Sequence, residues 1–127
     1  MFLAALVAST VASAQTAPSA ANQSGRFLVY FDEFSAFLSN EAKTIIADAA
    51  KRARETGAHR IVVQARASAT GKAETNKYLA QTRSSIVTDE LEADGIARPI
   101  VRQEPIGQTG SNDPTVTERR VDIILEP

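Results

Sequence analysis

The chain has no cysteine, which excludes disulfides, thiolate chemistry and every cysteine-based metal site. One histidine, His59, is present; it stands just before an expected strand start and reads as a surface residue. Charge of neither sign dominates, since 14 Lys and Arg oppose 15 Asp and Glu. No broad basic field therefore favours nucleic acid. The densest basic group, Lys51, Arg52 and Arg54, is interrupted by Ala53 and followed by Glu55, the pattern of a solvated helix face. No Ser-His-acid set occurs at an interpretable spacing. Asp32 and Glu33 are adjacent acids that would face opposite ways on a strand and make no general acid/base pair. Gly71-Lys72 lacks both the preceding glycine-rich run and the following Ser/Thr of a phosphate loop. The chain thus reads as a non-enzyme that needs no cofactor or metal, and no segment is apolar for long enough to span a bilayer.

What is present is organised in three parts. Before Arg26 there is no charged side chain, and Met1 to Val11 is mostly apolar. Ala12-Ser13-Ala14 before Gln15 has the small-x-small form of a cleavage site, so residues 1–14 read as a secretory signal peptide. Residues 15–25, rich in Ala, Ser, Gln and Thr, read as a flexible leader. Residues 26–127 suit one domain with one modest core.

Within that domain, Phe27-Leu28-Val29-Tyr30-Phe31 predicts a strand. Ser39 or Asn40 can cap a helix whose apolar stripe is Ile45, Ile46, Ala49, Ala50 and Ala53, with Gly57 as its stop. A second strand follows over 60–65. A second helix is expected from about Lys72 to Asp94, packing through Leu79, Ile86, Val87 and Leu91 and ended by Gly95. A third strand covers 100–103, a turn-rich loop 105–114, and a last strand 119–125. Two amphipathic helices need a sheet to cover. The fold class is therefore α/β, a two-layer sandwich in β-α-β-α-β-β order. The helix between the first two strands favours a parallel pair there.

The most informative stretch runs from Gly71 to Arg83. It reads as a helix with Asn76, Leu79 and Arg83 on one side, so an arginine lies on an apolar helix face. A guanidinium cannot be buried bare; it needs an acceptor within the fold or an anionic ligand at the edge of the core. Gly71, Asn76, Leu79, Ala80, Arg83 and Ser84 fall in register with the pattern T-D-x-x-G-x-x-x-x-N-x-x-L-[SA]-x-x-R-[AS]. Val29 to Phe34 is similar to an opening V-x-F-x-F strand, Leu38 to Lys43 to a first-helix entry, and Asp94-Gly95-Ile96 to a second-helix end. Glu118-Arg119-Arg120-Val121-Asp122-Ile123 is similar to a closing N-R-R-V-E-I strand. The pattern and four further pieces in the right order resemble the OmpA-like (outer membrane protein A C-terminal-like) peptidoglycan-binding domain family, across roughly Phe27 to Leu125.

That resemblance implies a mixed four-stranded sheet with helices on one side. It implies a domain in the periplasm, with outer-membrane association, that tethers the cell envelope non-covalently. The ligand it implies is the peptidoglycan stem peptide, whose diaminopimelate offers a carboxylate beside an ammonium. Arg83 matches the family's carboxylate-binding arginine, and Arg119 the first arginine of the closing strand. Gly71 and Asn76 match the loop and helix start. The ammonium-binding Asp of the family falls at Ser68, which can accept a hydrogen bond but carries no charge. Glu118 replaces the closing asparagine, and it can either pair with Arg83 or Arg119 or supply the charge that Ser68 lacks. Ser68, Gly71, Asn76, Arg83 and Arg119 are therefore the candidate ligand-binding residues. The alternative is a diverged domain that has lost cell-wall binding and makes contacts with envelope proteins.

Overall fold

The computed structural model describes residues 25–67, 72–108 and 119–127. The expected signal peptide and leader up to residue 24, Ser68, Gly71, Glu118 and the part of the expected turn-rich loop beyond residue 108 lie outside the described residues. Strand β1 (Arg26–Tyr30) leads to helix α1 (Asn40–Thr56) and strand β2 (Arg60–Ala67). Helix α2 (Ala73–Ala93), a short 3-10 turn (Arg98–Ile100), β3 (Val101–Gln108) and β4 (Arg120–Glu126) complete the order. The fold is the expected α/β sandwich with a mixed four-stranded sheet.

Both ends of α1 are set by local chemistry. The Ser39 side chain accepts the Ala42 N–H at 3.0 Å, satisfying a donor that has no partner inside the helix. Gly57 ends the helix in the left-handed region at φ 67, which a side chain would strain. The inward face is Ala42, Ile46, Ala49, Ala50 and Ala53, and Ile45 lies at its half-buried edge.

The strand order is β1-β4-β2-β3. β4 runs antiparallel to both β1 and β2, and the parallel pair is β2 with β3. The expected β1–β2 parallel pair is thus corrected: β1 and β2 point the same way but the last strand inserts between them. Its register, Val29↔Val121 and Val63↔Ile123, stacks Val29, Val63, Val121 and Ile123 on the helix-covered face. Each of these has no exposed surface and contributes roughly 1.5–3 kcal/mol by burial. On the other face Asp122 is fully buried between Arg26 and Arg120, accepting from Arg120 Nε at 2.7 Å.

β3 also departs from expectation. It continues to Gln108 through Pro105 and Gly107, which read as turn residues. β3 is an edge strand, where proline's missing N–H is tolerated. A register shift between Ala65 and Arg66 leaves Ile106 opposite neither residue, so the strand absorbs the irregularity as a bulge.

α2 lies over β2 and β3, while α1 covers β1 and meets β4. The buried side of α2 is Asn76, Ala80, Arg83, Ser84, Val87, Thr88 and Leu91, rotated from the expected stripe so that Leu79 and Ile86 are only half-buried. Small residues allow this close approach, and the hydroxyls among them are satisfied. Thr88 donates to the Ser84 carbonyl at 2.7 Å, and Ser84 donates to Gln103 Oε1 at 2.9 Å.

Candidate functional site

Arg83 has no exposed surface, and it is the largest fully buried side chain in the core. Its acceptors are three backbone carbonyls from three segments. Nε donates to Ser35 O at 2.8 Å, Nη1 to Arg66 O at 2.9 Å and Nη2 to Asp32 O at 3.0 Å. The guanidinium carbon lies 5.0 Å from the centre of the Phe31 ring, within cation–π range. Burial, and secondly the positive charge of Arg119, push its pKa down to about 10, so it stays charged at neutral pH. The sequence reading allowed Arg83 a ligand carboxylate or an internal acid. Among the described residues its acceptors are backbone carbonyls, and a ligand reaches it only if the chain around it opens.

What Arg83 holds is a turn. Ser35 N donates to Asp32 O at 3.1 Å, closing Asp32–Ser35, and Phe34 sits within it at φ 58. Arg83 grips the carbonyls of both end residues of this turn. One side chain on α2 thereby fixes the chain leaving β1, almost 50 residues away in sequence.

Arg119 approaches the same place from the other side. Its Nε donates to Phe31 O at 3.2 Å, and the Phe31 N–H donates to Arg119 O at 2.9 Å, which extends the β1–β4 ladder by one pair. Unlike Arg83, Arg119 is only partly buried. It borders a cavity of about 330 Å³ lined also by Tyr30, Phe31, Asp32, Phe37, Ser39 and Glu41. The cavity thus combines one guanidinium, two exposed acids and aromatic walls. Such a lining can hold a ligand carrying both signs of charge, with charge-assisted bonds worth about 1.5–3 kcal/mol each.

The structure brings Arg83 and Arg119 together around Phe31, one over its ring and the other on its carbonyl. Asn76 is buried in the first turn of α2, where its N–H donates to Lys72 O at 3.0 Å; it does not line the cavity. Ser68 and Gly71 lie outside the described residues. Phe37 and Glu41 were not singled out in the sequence, and Asp32 was weighed there only as half of an acid/base pair. A signal for them exists in hindsight: Phe31, Phe34 and Phe37 recur every third residue in a stretch that is neither helix nor strand beyond Tyr30. Among the described residues no group of three or more His, Asp or Glu could hold a metal ion, and no helix is long and apolar enough to cross a membrane.

The OmpA-like domain of FopA1 from Francisella tularensis superposes with a TM-score of 0.70 at 17% identity, covering 80% of this chain and 72% of that one. The peptidoglycan-associated lipoprotein from Burkholderia pseudomallei gives 0.70 at 21% identity, covering 78% and 89%. The periplasmic domain of Helicobacter pylori MotB gives 0.66 at 17% identity, covering 80% and 74%. At these identities the likeness establishes the fold. No curated protein sequence matches the chain. The sequence profile of the OmpA family does match it, over residues 30–121, from the last residue of β1 into β4. The chain belongs to the OmpA family.

Proposed function

We propose that this chain binds peptidoglycan non-covalently in the periplasm and helps tether the cell envelope, taking the diaminopimelate-type stem peptide as ligand. The observation that carries the reading is the cavity of about 330 Å³ beside Arg119, which joins a cation to two acids within an OmpA-family fold. Diaminopimelate presents a carboxylate beside an ammonium. Arg119 takes the carboxylate through its planar fork. Asp32 and Glu41 stand ready for the ammonium, supplying the charge that Ser68 lacks. Arg83 serves as a positioning residue: its carbonyl contacts hold Asp32 at the cavity, and its guanidinium lies over the ring of Phe31, whose carbonyl binds Arg119.

This division of roles decides the experiment. Replacing Arg83 disturbs the loop and binding together, so Arg119 is the sharper probe. Purified protein is incubated with insoluble peptidoglycan sacculi and the co-sedimented fraction measured, with Arg119→Ser in parallel. Wild type is expected in the pellet, with affinity reduced roughly ten-fold in the variant, as loss of one charge-assisted contact implies.

A second reading, a diverged domain that contacts envelope proteins, draws on the complete burial of Arg83. A folded wild type that stays wholly in the supernatant would establish it over the first.

A further inference from the structure

Two phenylalanines beside the cavity are held in water by the fold. Phe34 is 63% exposed and Phe37 is 78% exposed, although neither has a polar atom to reward exposure. Phe34 also occupies the left-handed region at φ 58, where glycine, asparagine and aspartate are the usual residues. The surroundings enforce this conformation. Ser35 N–H closes the turn onto Asp32 O, and Arg83 binds the carbonyls at both of its ends. Ser35 Oγ then accepts the Phe37 N–H at 3.0 Å, fixing the next stretch. Strain that is held in place by several independent contacts marks a functional feature.

We infer that Phe34 and Phe37 form a platform on which a sugar ring of the peptidoglycan glycan strand stacks. This rests on the peptidoglycan reading, because a stem peptide in the cavity is covalently joined to a sugar polymer that must leave past its rim. Phe37 lines that cavity with Arg119 and Glu41, and Phe34 stands on the turn that begins at Asp32. A pyranose has one face of C–H bonds, slightly positive, which suits the negative face of an aromatic ring. Its hydroxyls need acceptors, and Glu33 and Glu41 are exposed acids in the same region. A purely apolar protein surface would instead bury those carboxylates without partners, at a desolvation penalty. The mixture of rings and acids favours the sugar.

The test is calorimetric titration of the purified chain with two soluble ligands. One is a free diaminopimelate-containing stem peptide, the other the same peptide on its N-acetylglucosamine–N-acetylmuramic acid disaccharide. Wild type is expected to bind the disaccharide form about ten-fold tighter, the increment that one or two aromatic contacts supply. Phe34→Asn keeps a residue suited to positive φ, so it should melt no lower than wild type. It should erase most of the disaccharide advantage and leave free-peptide affinity within about two-fold. Phe37→Ser should weaken the disaccharide form more than the free peptide. Equal affinities of wild type for the two ligands would overturn the platform and leave the stem-peptide reading standing. So would equal weakening of both ligands by Phe34→Asn. No binding of either ligand to folded wild type would overturn the peptidoglycan reading and the platform with it.

Discussion

Arg83→Met should destabilise the fold substantially. Methionine keeps the stem and removes every donor, so Ser35 O, Arg66 O and Asp32 O lose their charged partner. Charge-assisted bonds contribute about 1.5–3 kcal/mol each, and the low end applies because Asp32 O keeps the Ser35 N–H. Stacking on Phe31 adds about 1 kcal/mol. Against this, burial and secondly the charge of Arg119 hold the guanidinium at a pKa of about 10, a cost on the order of 3 kcal/mol that methionine returns. The net loss is about 3 kcal/mol, or a Tm lower by roughly 15 °C for a domain of this size. Urea denaturation followed by circular dichroism measures it directly. Arg83→Lys should recover less than half of the loss, because one ammonium cannot span three separated carbonyls. A loss below about 1 kcal/mol for Arg83→Met would refute the assignment of Arg83 as the clamp of the Asp32–Ser35 turn.

Asp122→Asn removes a buried charge between Arg26 and Arg120. The expected loss is about 2 kcal/mol, below the usual figure for a broken buried pair because Arg26 is half-exposed; the same urea titration reads it. Ser68→Asp places a carboxylate where the family pattern has one, and should tighten stem-peptide binding about ten-fold by calorimetry. The lowered pKa of Arg83 has a definite sign. The unfolded chain binds more protons at this group only above about pH 10, so the part of stability that depends on Arg83 titration is flat from pH 5 to 9 and rises beyond pH 10. Arg83→Met should therefore lower stability by the same amount at pH 5 and pH 9.

The helices were legible because their signals are local. Ser39 and Gly57 cap α1 as expected, and its alanine-rich stripe is the observed inward face. The strand pairing was not, because nothing near β4 in sequence says that it inserts between β1 and β2. Nor does the sequence say that Asp122 is fully buried, between Arg26 and Arg120. Pro105 and Gly107 read as turn residues because the rule that demotes them supposes an inner strand; at a sheet edge with a bulge it relaxes. The α2 face was placed by its larger apolar residues, whereas packing against β2 and β3 selects the small ones, Ala80, Ser84 and Thr88. Arg83 was singled out from its position on an apolar face. Its partners are backbone carbonyls 17, 48 and 51 residues away, which no side-chain pattern encodes. The cavity residues Asp32, Phe37 and Glu41 are near one another in sequence, but Arg119 reaches them through its long-range pairing with Phe31.

Binding of the stem peptide in the cavity beside Arg119 is read directly by a two-dimensional NMR titration of the labelled chain with the free peptide. Saturable shifts are expected at Asp32, Phe37, Glu41 and Arg119, which line the cavity. Smaller changes are expected at Arg83 and Asn76, which are buried away from the ligand. Saturable shifts that cluster elsewhere, or a spectrum unchanged at millimolar peptide, would contradict binding in this cavity.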